Sequence, residues 1–318
     1  MKQSQFYYLL RRGLFGGGGI WAKYVNDFKA RVIADGGTME SPSCAKTDVK
    51  FLVQNPEPVA FTGLLNDYSG AAAAYSLRLL DNTYTGDAIV VRRASDNTTQ
   101  AIGFVNNELD TTSLESFCSG TDGFVTTWFD QSGSANHAVQ GTATAQPKIV
   151  SSGSTILENG KAAVEFDGSD DELILSSSLG DVESTTFLTM KSLNTAEDVP
   201  YARGQYYTIT MNPSFNSFEF RDFTNNVFYS GDVAALSQFV ASLYRATNSS
   251  SIQMAIDGTI QADTGENGRV SFSSGSICSG GAAWWWNGKV QEIIEYNSNE
   301  TTNRSGIETN INDFYTIY

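Results

Sequence analysis

From about residue 60 onward the chain is a succession of short extended segments cut by turn dipeptides. That rhythm restricts the fold more than any other feature. Residues 88–93, 124–129, 162–166, 172–175, 185–190, 206–211, 217–221, 239–244, 251–256 and 289–296 all read as strands, many of them rich in Val, Ile, Phe, Tyr and Thr. Asp167-Gly168, Asp257-Gly258 and Asn287-Gly288 are turn signals between them. With so many strands and so few helices, the apolar faces are buried by packing two antiparallel sheets face to face. No sustained alternation of helix and strand supports a doubly wound fold.

Three helices are expected within this body. Residues 71–80 open on an alanine run that favours helix. Thr112 and Glu115 form a capping box at the start of 112–117, and Ser305 and Glu308 form another at the start of 305–315. In the last helix Ile307, Ile311 and Phe314 share a face that packs against the sandwich.

Residues 1–57 read differently. Gly16 to Gly19 are four consecutive glycines that cannot hold regular structure cheaply. Short helices are expected over 22–33 and 41–53. Asn55-Pro56-Glu57-Pro58 reads as a linker, so the sandwich is placed at 58–318. The order of charged and apolar residues at the start is wrong for a secretion signal, because Arg11 and Arg12 follow the first apolar run.

Charge excludes some functions. The net charge is −15, and the first 60 residues hold eight Lys/Arg against five Asp/Glu, so the main body is strongly acidic. An acidic body repels phosphate, which argues against nucleic-acid binding. No apolar run reaches the roughly 20 residues of a membrane-spanning helix. The three cysteines, Cys44, Cys118 and Cys278, are widely spaced and give neither a zinc pattern nor a disulfide framework. With His137 as the single histidine, a His-rich metal centre is not expected.

A few residues stand out as site candidates. Trp284-Trp285-Trp286 would send alternate rings to opposite faces, one into the core and one towards a glycan or a neighbouring subunit. Asp130 opens a loop after a strand, where it either closes an Asx-type turn or meets a sugar hydroxyl. Asp167, Asp170 and Asp171 lie on one acidic turn. They form either a solvated surface or a loose calcium site, and calcium is the only ion considered, no other cofactor being expected. Glu292 and Glu295, three apart on one strand, face opposite ways and cannot by themselves form a catalytic pair.

Two stretches carry a family resemblance. Ala74 to Asp87, Val90 to Asp96, Ile102 to Phe104, Thr126 to Gly133 and Gln146-Pro147 resemble the opening of the catalytic domain of arabinofuranosidase B-type glycosidases, over about residues 60–150. The same block resembles structural proteins of tailed bacteriophages. Phe166 to Asp171, Trp286 to Tyr296 and Ile307 to Asn312 resemble concanavalin/laminin-G-like domains of phage virion proteins. The resemblance implies a mainly β jelly-roll sandwich with a C-terminal helix. It also implies a non-enzymatic virion protein, a head or tail appendage anchored to other virion proteins by its N-terminal arm. Such a protein would form a homo-oligomer, such as a trimer, and contact host-surface glycans, without binding nucleic acid or entering a membrane. The alternatives are a carbohydrate-binding protein and an arabinofuranosidase-like glycoside hydrolase. The glycosidase family carries an adjacent cysteine pair near its nucleophile, and this sequence has no adjacent cysteines.

Overall fold

The strand Asn287–Tyr296 organises the molecule, because it is paired along both edges. In the computed structural model, one edge meets Ser184–Ser192. The other meets Val164–Asp167 along its first half and Ala71–Ser76 along its second. Gln238–Arg245, Ile252–Ile256 and Thr259–Ile260 continue this layer beyond Ser184–Ser192. The second layer runs Thr99–Ile102, Ile89–Arg93, Gly123–Trp128, Ala138–Val139, Leu173–Leu175, Gly275–Ile277, Asp198–Arg203, Tyr207–Asn212, Ser217–Asp222 and Val227–Asp232. Every pairing in these ladders is antiparallel. Lys148–Ser151 pairs with a strand of each layer, so the hydrogen bonding passes from one to the other. The structure describes residues 61–176, 179, 183–194, 198–203, 207–212, 217–222, 227–232, 236–246, 252–261, 275–279 and 285–318. The arm, the helices expected over 22–33 and 41–53, Cys44 and Trp284 lie outside the described residues.

Two cores follow from strand alternation. Between the layers, Tyr75, Leu188, Met190, Val290 and Ile293 of the first meet Ile89, Val91, Val125, Trp128, Leu173 and Ile277 of the second. On the outer face of the first layer, Ala74, Phe187, Val240, Ile294 and Tyr296 are covered by helix α1 (Leu64–Asp67) and helix α3 (Arg304–Tyr315). Ile307, Ile311 and Tyr315 of α3 are buried there. Burying a side chain of this size contributes about 1.5–3 kcal/mol, so α3 is part of the fold rather than an appendage. A β-bulge sets which residue faces which core. Met190 lies opposite Val290 and Thr189 opposite Glu292, leaving Gln291 as the extra residue. Val290 and Ile293 therefore share the inter-layer core although they are three apart.

All ten expected strands are present, with ends shifted by up to a few residues. The helix expected over 71–80 is not, and Ala71–Ser76 is a strand instead. Alanine's helix preference amounts to tenths of a kcal/mol and is outweighed by a full ladder with Asn287–Tyr296. Asn287-Gly288 is not a turn but the start of that strand. A Cβ at Gly288 would stand 2.4 Å from the Trp286 indole, so glycine is there for a close approach. Neither capping box forms. Asp110 caps helix α2 (Thr111–Phe117) by accepting from the Ser113 amide at 3.0 Å, and Glu115 instead accepts from the Thr155 amide at 2.9 Å. Glu308 turns inward to Ser242 and Arg304. Three hairpin turns not expected from the sequence, Asn106-Asn107, Ser152-Gly153 and Asn159-Gly160, have two successive positive φ angles, as does the expected Asp257-Gly258.

Candidate functional site

The loop after Gly123–Trp128 is built around Asp130, which is almost wholly buried. Its Oδ1 accepts from the Ala74 amide at 2.7 Å and the Ser132 amide at 2.8 Å. Its Oδ2 accepts from the Ser132 hydroxyl at 2.8 Å and the Asn136 amide at 3.0 Å. Four donors occupy both oxygens, so the carboxylate ties the loop to the first layer. This is the Asx-type arrangement and leaves no oxygen facing outward for a sugar. Next to it Gln131 bridges the Ser76 and Arg78 carbonyls to the Leu80 amide. His137 packs edge-on to Phe129 at 5.0 Å and accepts from the Asp130 amide.

The tryptophans divide between core and rim. Trp286 is fully buried in the inter-layer core. Trp285 is half-buried and bridges to Ser279 across a short β-contact. Trp286 is therefore a packing residue and not a contact for a glycan or a subunit.

The acidic turn does come together. One carboxylate oxygen each of Asp167, Asp170 and Asp171 lies within 4.8 Å of the others. Asp167 is exposed, Asp170 half-buried, and Asp171 only 6% exposed. The turn is fixed from inside, since the Asp167 amide donates to Asp171 Oδ2 at 3.0 Å and the Ser169 amide to Asp167 Oδ1 at 2.8 Å. Burial, followed by the charge on Asp167, pushes the Asp171 carboxyl up to about 7. Asp171 can thus hold a proton near neutrality. The same oxygens offer hard ligands of the kind calcium takes, although two already accept amides.

Other buried carboxylates are engaged in the scaffold. Glu292 faces α3, where it takes Arg78 through both oxygens at 2.8 and 2.9 Å, with Ser76 at 2.7 Å and Tyr315 at 3.2 Å. Burial alone would lower the Arg78 pKa, and the Glu292 charge beside it more than reverses this. Glu295 faces the inter-layer core and accepts from Thr186. The two glutamates therefore do lie on opposite faces. The Arg78–Glu292 pair was not foreseen. A glutamate directly before Ile293 and Ile294 in a strand was the available signal.

The model of the catalytic domain of α-L-arabinofuranosidase B matches residues 67–171, one third of the chain. That stretch runs from the end of α1 through the Asp130 loop to the acidic turn. No curated protein matches. Among solved structures, an arabinofuranosidase complexed with arabinofuranosyl-α-1,2-xylobiose is similar, with a TM-score of 0.57 and 18% identity. A GH54 α-L-arabinofuranosidase soaked with a cyclic sulfate inhibitor gives a TM-score of 0.56 at the same identity. In both, 76% of this chain is covered, and the chain spans 62% of the length of the structure it matches. At this identity the likeness establishes the fold, a mainly β antiparallel sandwich. The matches also correct the expectation of a non-enzymatic virion appendage. The stretch that suggested it matches a glycosidase catalytic domain, and the sandwich it builds is one that arabinofuranosidases share.

Proposed function

We propose that the chain is a glycoside hydrolase acting on α-L-arabinofuranosides. The observation that carries this reading is the catalytic-domain match over residues 67–171. The arabinofuranosidase-like sandwich agrees with it. Glycoside hydrolysis needs one carboxyl that holds a proton and one that is ionised, about 5–5.5 Å apart when configuration is retained. Among the described residues, Asp171 has a carboxyl pushed up to about 7, and one oxygen each of Asp167, Asp170 and Asp171 lies within 4.8 Å of the others. We assign Asp171 the acid role and Asp167 or Asp170 the partner role. In the reaction the acid protonates the glycosidic oxygen as the bond to the anomeric carbon breaks. The ionised carboxylate stabilises or attacks that carbon, and water completes the hydrolysis.

The test is release of 4-nitrophenol from 4-nitrophenyl α-L-arabinofuranoside by the purified full chain. Turnover is expected, falling as the pH rises through about 7, where Asp171 loses its proton. Asp171→Asn is expected to lower the rate about 10²–10⁴-fold on an arabinofuranosyl xylobiose, whose sugar leaving group needs the proton that nitrophenolate does not. Absence of turnover from pH 4 to 8 refutes the hydrolase reading. Full activity in Asp171→Asn moves the acid elsewhere and leaves the hydrolase reading standing.

A further inference from the structure

A groove of about 470 Å³ opens where two hairpins approach the C-terminal end of α3. One hairpin is Phe104–Val105 with Glu108–Leu109, and the other is Leu157–Glu158 with Lys161–Ala162. None of Asp130, Asp167, Asp170 or Asp171 lines it. We propose that this groove binds a neutral saccharide, a role that goes beyond the hydrolase reading and does not depend on it.

The size suits a small ligand, since binding pockets run from roughly 300 to 1,000 Å³. The walls have two kinds of surface. Val105 and Leu157, one on each hairpin, are 51% and 48% exposed and offer apolar contact for the C–H face of a sugar ring. Between them stand groups that accept from hydroxyls. Glu108 accepts from Lys161 at 2.7 Å through Oε1, and Glu115 from the Thr155 amide at 2.9 Å through Oε1. In Glu108 the second oxygen carries no hydrogen bond among the described residues, and a carboxylate oxygen is a strong acceptor for a ligand hydroxyl.

Charge narrows the ligand class. Glu108 is paired with Lys161, and Asp110 is engaged at the start of α2. Acidic groups still outnumber the single lysine, so a phosphate or carboxylate ligand is repelled. The walls are also held in place. Lys161 lies 4.1 Å from the Phe314 ring centre, and Arg78 covers the same ring at 4.8 Å. Tyr315 forms part of the lining and anchors to Glu292 below. A preformed site loses less to ordering on binding.

Saturation-transfer NMR on the full chain, with xylobiose and L-arabinose as probes and spermidine and methyl phosphate as controls, tests this without turnover. Transfer to sugar ring protons is expected, saturable, and absent for the methyl group of methyl phosphate. Leu157→Ser and Glu108→Gln, checked for folding by circular dichroism, are each expected to weaken it about tenfold, the scale of one charged hydrogen bond or one apolar contact. Three results would overturn the proposal: no transfer to either sugar, equal transfer in wild type and both variants, or binding of spermidine in preference to sugar. Because the readout is binding, failure here leaves nitrophenol release unaffected, and loss of that release leaves the groove unaffected.

Discussion

At the scale of single residues, buried charge decides what can change. Arg78 and Glu292 are both almost fully buried and satisfy one another. Removing one partner leaves the other unpaired in a medium that solvates it poorly. Glu292→Ala is therefore expected to cost about 3–5 kcal/mol in urea unfolding, while the double variant Arg78→Met, Glu292→Met costs much less. Equal costs would show that the charge pair is not what matters. Asp171 behaves in the opposite sense. Its folded pKa, about 7, lies above the ordinary carboxylate value, so the folded chain retains a proton that the unfolded chain has released. The stability tied to that proton is full below the unfolded pKa and is lost as the pH rises through about 7. Asp171→Asn stays neutral throughout, so its melting temperature is expected to gain on wild type as the pH rises over that interval. A difference that is constant with pH would contradict the assignment.

At the scale of elements, contacts remote in sequence override local preference. Gly288 shows how. Its neighbours leave no room for a Cβ, with the Trp286 ring at 2.4 Å and the Lys191 carbonyl oxygen at 2.5 Å. Gly288→Ala is expected to cost about 1–3 kcal/mol by chemical denaturation, the range for overpacking a filled core. The Asn-Gly pair read from sequence as a turn is thus a strand start, and only the position of Trp286 reveals it. The strands themselves were legible, because β-branched and aromatic runs bounded by turn residues carry their signal locally. The alanine run was misread because its fate is settled by Asn287–Tyr296, more than 200 residues later. The acidic turn was legible as three carboxylates close in sequence. The groove was not, since its walls come from residues near 105, 115, 157 and 314. No spacing rule links them. The three tryptophans suggested a surface that Trp286 does not provide.

At the scale of the whole molecule, one sheet serves two cores. Its inner face meets the second layer and its outer face meets α1 and α3. A chain ending before residue 304 would expose Phe187, Val240, Ile294 and Tyr296 together. Such a truncation is expected to bind the dye ANS and to lose its cooperative thermal transition. Retention of a sharp transition would show that α3 is dispensable. The bulge at Gln291 allows this double duty, with a consequence for anyone aligning or redesigning the chain. Odd and even positions exchange meaning there, as words do when a letter is inserted into a text read in pairs. Removing that one residue would leave Glu292 towards the helix and Ile293 towards the second layer, whereas keeping it in a regular strand would reverse both. An alignment with an unbulged strand that omits the gap at Gln291 would compare inward residues with outward ones along half of the strand.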